Sequence, residues 1–260
     1  MTPVTLITGA SSGIGAELAR VFARQGHALA LLARRERRLA ALADEIASGG
    51  APRPLVLPIN LARPDATQQI SAALAAHDLE PEYVVNNAGF GLVGRAAALD
   101  RAEQLAMVDL NVRALTELSL AFIPSLERRR GGILNLASVA GFLPGPGSAV
   151  YYAGKAFVLS FTEALHAELA PRGVRVTCLC PGPVETEFQA RAGVVPGSTP
   201  SFLKVSAMRV AEEGYRGLMR GKRLVIPGLG NKIISFLPRI VPRAPLLAVL
   251  DRRQRRRHSA

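Results

Sequence analysis

The chain has 260 residues, a length that suits one α/β domain and is short for two. Hydrophobic residues make up 49% and charged residues 20%, so the sequence can fill one large core and does not have the composition of a disordered chain. Aromatic residues make up only 5% and tryptophan is absent, which argues against a surface that stacks the bases of single-stranded nucleic acid.

The net charge of +12 is concentrated at the carboxyl end of the chain. Residues 220–260 contain eleven lysines and arginines and one acid, Asp251, which gives them a net charge of +10 and leaves +2 for the remaining residues. A nucleic-acid-binding domain carries its charge on the folded face that meets phosphate. Nucleic acid is therefore not the expected partner.

The two cysteines, Cys178 and Cys180, lie two residues apart in an apolar run, and we expect both to be reduced core residues. The sequence shows no metal-ligand spacing, so no metal site is predicted. It also shows no secretory signal and no uninterrupted apolar segment of about 20 residues, the length that spans a bilayer. We therefore expect a cytoplasmic protein.

Apolar strands alternate with amphipathic helices along most of the chain. This alternation predicts an α/β fold with a doubly wound, Rossmann-type parallel sheet of about seven strands. Residues 1–228 form the predicted catalytic domain, and residues 229–260 form a basic tail with apolar clusters. The predicted strands are 4–8, 28–32, 55–59, 83–85, 133–137, 174–179 and 223–226, and the clearest helices are 14–25, 35–47 and 155–169.

Residues 187–206 interrupt this pattern, because they are rich in Gly, Pro and Ser and have few periodic apolar positions. Segments that follow the carboxyl ends of the strands line the ligand crevice of such folds, so this segment is the predicted substrate loop. Its apolar side chains indicate a lipophilic ligand: Phe188, Val194, Val195, Phe202 and Leu203.

A glycine-rich turn follows the first predicted strand. Glycines at this point allow a tight turn and close approach of the backbone to a pyrophosphate, toward which the next helix directs its free N–H groups. The spacing is Gly-x-x-x-Gly-x-Gly rather than the more common Gly-x-Gly-x-x-Gly. The turn reads Thr8-Gly9-Ala10-Ser11-Ser12-Gly13-Ile14-Gly15.

This turn resembles the Thr-Gly-x-x-x-Gly-x-Gly motif of the short-chain dehydrogenase/reductase family, and the resemblance extends to about residues 227–228. It implies that the Asn86-Asn87-Ala88-Gly89 turn lies along a dinucleotide. It also implies that Asn60 and Leu61 lie near the adenine, although the family usually has an Asp there. The resemblance further implies that Pro181 and Gly182 support the nicotinamide, and that Val184 and Thr186 contact its carboxamide. The cofactor-binding residues predicted in this way are Gly9, Ser11, Ser12, Gly13, Ile14, Gly15, Arg34, Arg35, Asn60, Leu61, Asn87, Ala88, Gly89, Tyr151, Lys155, Pro181, Gly182, Val184 and Thr186.

The choice between the two nicotinamide cofactors can be argued from the end of the second predicted strand. An acid there binds the ribose 2′-hydroxyl of NAD(H), whereas an arginine suits the 2′-phosphate of NADP(H). The strand ends in Leu32-Ala33-Arg34-Arg35, without an acid, which favours NADP(H) over NAD(H). The alternative is that Arg34 and Arg35 are only solvent-facing charges at the start of a helix.

Tyr151 and Lys155 are spaced four residues apart and share one face of a helix. A tyrosine has a pKa near ~10, and a neighbouring ammonium lowers it toward neutrality, where a proton donor and acceptor for carbonyl chemistry is useful. The neighbouring Tyr152 has no lysine four residues later and is interpreted as a packing residue. The family resemblance adds Ser138 as the hydrogen-bond donor to the substrate oxygen. It also adds Asn111 at a helix irregularity, where it holds a water that links Lys155 to solvent.

Together these residues predict an NADP(H)-dependent enzyme that interconverts a carbonyl and a secondary alcohol, acting on a small-molecule substrate. The family resemblance implies a homodimer or homotetramer through the helices that contain Asn111 and Tyr151. One alternative is a non-catalytic NADP(H)-binding sensor or scaffold on the same fold. Another is an extended-type epimerase or dehydratase, which has a different glycine spacing and a larger carboxyl-terminal domain.

The basic tail has two interpretations. Its apolar clusters and cations suit a peripheral position at the inner face of a membrane, although Arg239, Arg243 and three prolines prevent it from spanning one. Alternatively, it packs over the active site or against a dimer partner and leaves a solvated basic end.

Overall fold

The computed structural model describes residues 1–194 and 200–258, and for Arg239 and residues 253–258 it describes the backbone alone. Val195, one of the predicted ligand-lining residues, lies outside these ranges. Among the described residues, no helix is long and apolar enough to cross a membrane.

Seven parallel strands form one sheet in the order β3-β2-β1-β4-β5-β6-β7, which confirms the doubly wound fold. The order reverses between β1 and β4, so a crevice opens outside the carboxyl ends of these two strands. The strands are β1 (Thr2–Thr8), β2 (Leu29–Leu32), β3 (Leu55–Leu57), β4 (Leu79–Asn86), β5 (Gly132–Leu136), β6 (Arg175–Leu179) and β7 (Leu224–Val225).

Helices cover both faces of the sheet because neighbouring strand residues point to opposite sides. Ile7 packs against α1, α2 and α9, whereas Leu6 packs in the layer of α3, α5, α6 and α7. The helices are α1 (Gly13–Arg24), α2 (Glu36–Ser48), α3 (Ala66–Ala76), α4 (Arg101–Val108), α5 (Leu115–Ala121), α6 (Ile123–Arg129), α7 (Ala149–Leu169), α8 (Glu187–Ala192), α9 (Ala207–Met219), α10 (Leu229–Phe236) and α11 (Arg243–His258).

Several element bounds differ from the sequence-based expectation. Helix α7, for example, begins at Ala149 rather than at residue 155. Strand β4 begins at Leu79 rather than at residue 83, with Pro81 inside it. The β1–β4 register shifts between Val4 and Thr5, opposite Pro81 and Tyr83, and such irregularities tolerate a proline within a sheet. The predicted substrate loop also contains a helix, α8, which begins after the extended residue Thr186 and ends at Gly193 with a φ of 76°.

A buried chain of polar side chains crosses the centre of the fold. Asn86 donates to Ser119 at 3.0 Å and to the side-chain oxygen of Asn135 at 2.8 Å. Asn135 in turn donates to Thr162 on α7 at 3.1 Å. Because all four side chains are buried, each one depends on its partners to replace the hydrogen bonds of water. The chain therefore joins β4 and β5 to α5 and α7.

We predict that Asn135→Ala lowers the free energy of unfolding by about 2–4 kcal/mol, because it removes a buried hydrogen bond from each of Asn86 and Thr162 and leaves a cavity. Urea denaturation measures this change. Asn60→Ala, at an exposed position, is the control and is expected to cost less than about 1 kcal/mol. Equal effects of the two substitutions would contradict the importance of the buried chain.

Candidate active site

The Thr8 hydroxyl joins the carboxyl ends of β1 and β4. It donates to the Val85 carbonyl at 3.1 Å and accepts the backbone N–H groups of Asn87 at 2.9 Å and Ala88 at 3.0 Å. The Asn87 amide returns two hydrogen bonds, to the carbonyls of Thr8 at 2.8 Å and Gly9 at 3.2 Å. The glycine-rich turn and the Asn-Asn-Ala-Gly turn are therefore fixed to each other at the edge where the sheet order reverses.

The glycine-rich turn is packed too closely for side chains. A Cβ on Gly15 would lie 2.3 Å from the Gly9 carbonyl oxygen, and one on Gly13 would lie 3.1 Å from the Thr186 methyl carbon. Gly9 and Gly13 also have φ values of 66° and 56°, in the left-handed region that favours glycine. This cradle, with the amino terminus of α1 behind it, fits the pyrophosphate of a dinucleotide.

Arg35 lies across this turn. Its guanidinium donates to the hydroxyls of Ser11 at 3.0 Å and Ser12 at 2.8 Å, and to the Glu187 carboxylate at 2.7 Å. Arg38 also donates to Glu187, and the hydrogen bonds from Arg38 and Arg35 lower the pKa of Glu187 to about 2. Arg34 is exposed next to Arg35, and no acid stands at the end of β2.

Helix α8 bridges the nucleotide cradle and the tyrosine. Besides the Glu187 contact, the Phe188 ring lies 5.7 Å from the Tyr151 ring, centroid to centroid, and the Arg191 guanidinium stacks 4.1 Å from the Phe90 centroid. The N–H of Val93 donates to the Ala192 carbonyl at 2.9 Å, which fixes the end of the helix. Burial and the nearby Arg34 lower the pKa of Arg191. Sequence reasoning assigned no role to Glu187, Arg38 or Phe90.

Tyr151 lies in the first turn of α7, half-buried beside Ser138. Burial raises the pKa of Tyr151 to about 12, and a hydrogen bond with the Ser138 hydroxyl opposes that shift. The expectation that Lys155 lowers the pKa of Tyr151 is therefore not met. Burial removes the water that would stabilise the charged phenolate. The side chain is held as a neutral phenol. Ser138 also accepts the Ala140 N–H at 3.1 Å, which fixes the hydroxyl at the carboxyl end of β5.

Lys155 is buried one turn further along α7. Its Nζ donates to the Leu136 carbonyl at 2.7 Å and lies 5.9 Å from the centroid of the Tyr151 ring. Burial lowers the pKa of Lys155 to about 8, so the ammonium is close to releasing its proton near neutral pH. The nearby thiols of Cys178 and Cys180 are free and buried, as expected.

Asn111 lies in a π-helical turn, Asp109–Ala114, between α4 and α5. Its side chain accepts the Phe90 N–H at 3.0 Å and donates to the Phe90 carbonyl at 2.8 Å. A Cβ on Gly89 would lie 2.8 Å from the Asn111 Oδ1, so this close approach needs glycine. The amide therefore fastens the backbone after the Asn-Asn-Ala-Gly turn, and the helix irregularity expected at Asn111 is present. Its link to Lys155 through a water stays a prediction.

The remaining predicted residues lie at the same edge of the sheet. Pro181 and Gly182 follow β6, and Gly182 packs against the buried Asn231 of α10, where an added Cβ would lie 2.1 Å from the Asn231 Oδ1. Val184 is buried. After β3, Asn60 is exposed and accepts the Ala62 N–H at 3.2 Å in its own turn, whereas Leu61 is buried.

Comparison with known proteins decides the family. A model described as short chain dehydrogenase matches residues 3–194. The chain belongs to the short-chain dehydrogenase/reductase family. It is therefore a nucleotide-binding oxidoreductase that acts on CH–OH groups and uses a nicotinamide dinucleotide.

Several family members are similar over most of the chain. Sulfoacetaldehyde reductase 2 of Chromohalobacter salexigens is 41% identical over 72% of this chain and 75% of its own length. Serine 3-dehydrogenase of Agrobacterium fabrum is 39% identical over 72% of this chain and 74% of its own. Among solved structures, a short-chain dehydrogenase from Sphingobium yanoikuyae in complex with NADPH is 33% identical, with a TM-score of 0.80 over 93% of this chain and 97% of its own.

We predict that Gly15→Ala weakens NADPH binding by about tenfold or more, because the new methyl must displace the Gly9 carbonyl or the Asn87 amide. Fluorescence titration measures the affinity. Gly154→Ala is the control, since its Cβ would lie an ordinary 3.4 Å from Val112. Unchanged affinity in Gly15→Ala would show that this turn does not form the pyrophosphate cradle.

Proposed function

We propose that this protein is an NADP(H)-dependent reductase of lipophilic ketones or aldehydes, with Tyr151 as the proton donor. The observation that carries the proposal is the arrangement of three side chains: the half-buried Tyr151 phenol lies beside the Ser138 hydroxyl and one turn from the buried Lys155 ammonium. Burial keeps the phenol protonated. A carbonyl reduction needs this protonated form of the tyrosine at the start of the reaction.

Each side chain then has a defined task. The Ser138 hydroxyl donates a hydrogen bond to the carbonyl oxygen and holds it next to Tyr151. Tyr151 gives its phenolic proton to that oxygen, which becomes the hydroxyl of the alcohol. The positive charge of Lys155 favours the phenolate left behind, and its proton is available because burial brings the pKa to about 8. NADPH, when bound, supplies the hydride that the carbonyl carbon receives. Asn111 is a positioning residue that holds Phe90.

The preference for NADP(H) rests on the cations around the nucleotide cradle. Arg34 and Arg35 follow β2 directly, and the Arg35 guanidinium already lies against the two serine hydroxyls of the turn. A planar guanidinium binds a phosphate with two parallel hydrogen bonds, whereas the ribose hydroxyl of NAD(H) offers it no matching charge. The Sphingobium yanoikuyae neighbour, which is described in complex with NADPH, supports the same choice.

A lipophilic substrate is supported by the ring that borders the tyrosine. Phe188 packs against Tyr151 from α8, which also carries Arg191. A plant relative, 11-beta-hydroxysteroid dehydrogenase-like 2 of Arabidopsis thaliana, is 28% identical over 92% of this chain and 78% of its own length. The sulfoacetaldehyde reductases suggest an anionic aldehyde instead, for which Arg191 is the nearby cation.

The expected homodimer or homotetramer is supported by apolar side chains exposed on the helices that carry the site. Leu105 on α4, Leu120 on α5 and Phe157 on α7 are 58%, 49% and 43% exposed. Three large apolar residues on adjoining helices form a face that association with a second copy would cover.

We predict that Arg34→Ala with Arg35→Ala weakens NADPH binding by about 10- to 100-fold and NADH binding much less, because NADPH alone has a 2′-phosphate that loses charge-assisted hydrogen bonds. Titration of both cofactors measures the ratio. Arg37→Ala, at an exposed position on α2, is the matched control and is expected to bind both as the wild type does. An equal loss of affinity for NADPH and NADH would show that the two arginines do not bind the 2′-phosphate.

We predict that Tyr151→Phe lowers kcat for NADPH-dependent ketone reduction by about 10²- to 10⁴-fold, because the proton donor is removed. NADPH affinity is expected to fall by less than about tenfold, because the substitution removes at most one hydrogen bond to the cofactor. Tyr152→Phe is the control, because the phenylalanine keeps the aromatic ring that packs against Gly145. Activity retained in Tyr151→Phe would contradict the mechanism.

A comparison of kcat/KM for a long-chain ketone and for sulfoacetaldehyde tests the substrate class. We expect the long-chain ketone to be preferred, and a preference for sulfoacetaldehyde would contradict the lipophilic substrate.

A further inference from the structure

Helix α10 is packed with its polar side chains inward and its apolar side chains outward. Asn231 and Ser235 are buried, with exposures of 0% and 6%, whereas Leu229, Ile233 and Phe236 are 74%, 61% and 56% exposed. The exposed residues are spaced four and three apart, so they share one face of the helix. A helix on the surface of a globular protein has the opposite arrangement, with its apolar stripe toward the core.

Specific contacts fix this orientation. The Asn231 amide donates to the carbonyls of Pro227 at 2.8 Å and Leu203 at 3.2 Å, and its side chain packs on Gly182 beside the candidate active site. The buried Ser235 hydroxyl is satisfied within the helix itself, because it donates to the Lys232 carbonyl at 2.8 Å. Rotating the helix to bury its apolar face would break the Asn231 contacts and expose the turn after β6. The apolar face is therefore a constant feature of this surface.

The apolar face extends beyond the helix itself. Phe202 is 67% exposed and packs against Gly230 at the start of α10, where an added Cβ would lie 2.9 Å from its ring. Leu237 and Ile240 continue the face after the helix, with exposures of 41% and 68%. We call this surface the α10 ridge; its members are Phe202, Leu229, Ile233, Phe236, Leu237 and Ile240.

Cations outnumber acids in the part of the chain that carries the α10 ridge. Lys232 lies exposed within the ridge, and Arg243 and Arg252 follow, exposed, on α11. The flanking acids Glu185 and Asp251 are each ion-paired, Glu185 with Lys204 and Asp251 with Arg95. The sequence from residue 229 to residue 250 contains no acidic residue. Aliphatic and aromatic side chains interleaved with cations match the boundary between the acyl chains and the headgroups of an anionic bilayer.

A second copy of the chain fits this surface less well. In a symmetric dimer the same patch meets itself, so Lys232 and Arg243 would approach the same cations of the partner. Like charges brought together at an interface oppose association. The apolar residues Leu105, Leu120 and Phe157, on other helices, provide a different face for such a contact.

We propose that the α10 ridge docks this protein on an anionic membrane surface, with the helix lying in the interface and the candidate active site next to the bilayer. The ridge is joined to the active site through Asn231 and Gly182, so a docked molecule holds the turn after β6 close to the lipid. A lipophilic substrate then reaches the site from the membrane. Only this last consequence rests on the proposed function, because the docking itself does not depend on catalysis.

Co-sedimentation of the full-length protein with vesicles tests the docking. The vesicles are pure phosphatidylcholine, or phosphatidylcholine mixed with anionic phosphatidylglycerol. We expect the wild type to bind the anionic vesicles preferentially, and Ile233→Ser and Lys232→Glu each to reduce that binding on the order of tenfold. Arg37→Glu, at an exposed position on α2 away from the ridge, is the matched control for Lys232→Glu, and it is expected to bind as the wild type does.

Two further measurements separate the possible outcomes. Ketone reduction with NADPH in the absence of vesicles is expected to be unchanged in Ile233→Ser, so a failure of docking is distinguishable from a failure of the catalytic proposal. The oligomeric state, from light scattering, is also expected to be unchanged. The proposal is overturned if the wild type does not bind anionic vesicles, if Ile233→Ser binds them as well as the wild type does, or if Lys232→Glu binds them as well as Arg37→Glu does. It is likewise overturned if Ile233→Ser changes the oligomeric state without changing vesicle binding, because the ridge would then be covered by a second copy.

Discussion

The hydrogen bonds of the Thr8 hydroxyl hold together the two strand ends on which the rest of the site depends. One buried oxygen donates to Val85 and accepts from Asn87 and Ala88, at the point where the sheet order reverses. Parallel strands diverge there, and their carboxyl ends open a crevice. By joining the ends, Thr8 sets the start of the glycine-rich turn and the path of the chain toward Phe90. The direction of α1 and the place of Asn111 follow from these two segments.

Helix α8 gives the two halves of the crevice a common boundary. It contacts the nucleotide turn through Thr186, the arginines after β2 through Glu187, and the tyrosine through Phe188. The carboxylate of Glu187 lies between Arg35 and Arg38, in the region where the proposed 2′-phosphate would have to bind. A phosphate would thus compete with Glu187 for these guanidinium groups.

The sequence predicts the sheet well because its strands are buried on both faces and appear as continuous apolar runs. Thr8 to Gly15, Tyr151 and Lys155 are also recognisable, because their chemistry fixes their spacing. The start of β4 is not recognisable, since Pro81 and two acids precede Tyr83 in a segment that pairs only through an irregular register. Helix α8 is hidden by its short length and by the glycine and proline residues that follow it.

Other features depend on contacts between distant residues, which no local pattern contains. The amide of Asn111 faces Phe90, 21 residues away, and Glu187 pairs with Arg35 from 152 residues along the chain. The pKa of Tyr151 is a property of its surroundings: the Tyr-x-x-x-Lys spacing suggests a lowered value, but burial raises it. The orientation of α10 is set by one buried asparagine, Asn231, and not by the apolar residues that dominate its composition.

The central claim is that a buried, protonated Lys155 supports proton donation by Tyr151. The pH dependence of kcat/KM for NADPH in ketone reduction tests it most directly, because this ratio reports the ionisations of the free enzyme. Since burial lowers the pKa of Lys155 to about 8, the ammonium is present below that pH and is lost above it. The account predicts that kcat/KM falls as the pH rises through about 8. A profile that stays flat up to 10.5, the ordinary lysine pKa, would contradict it.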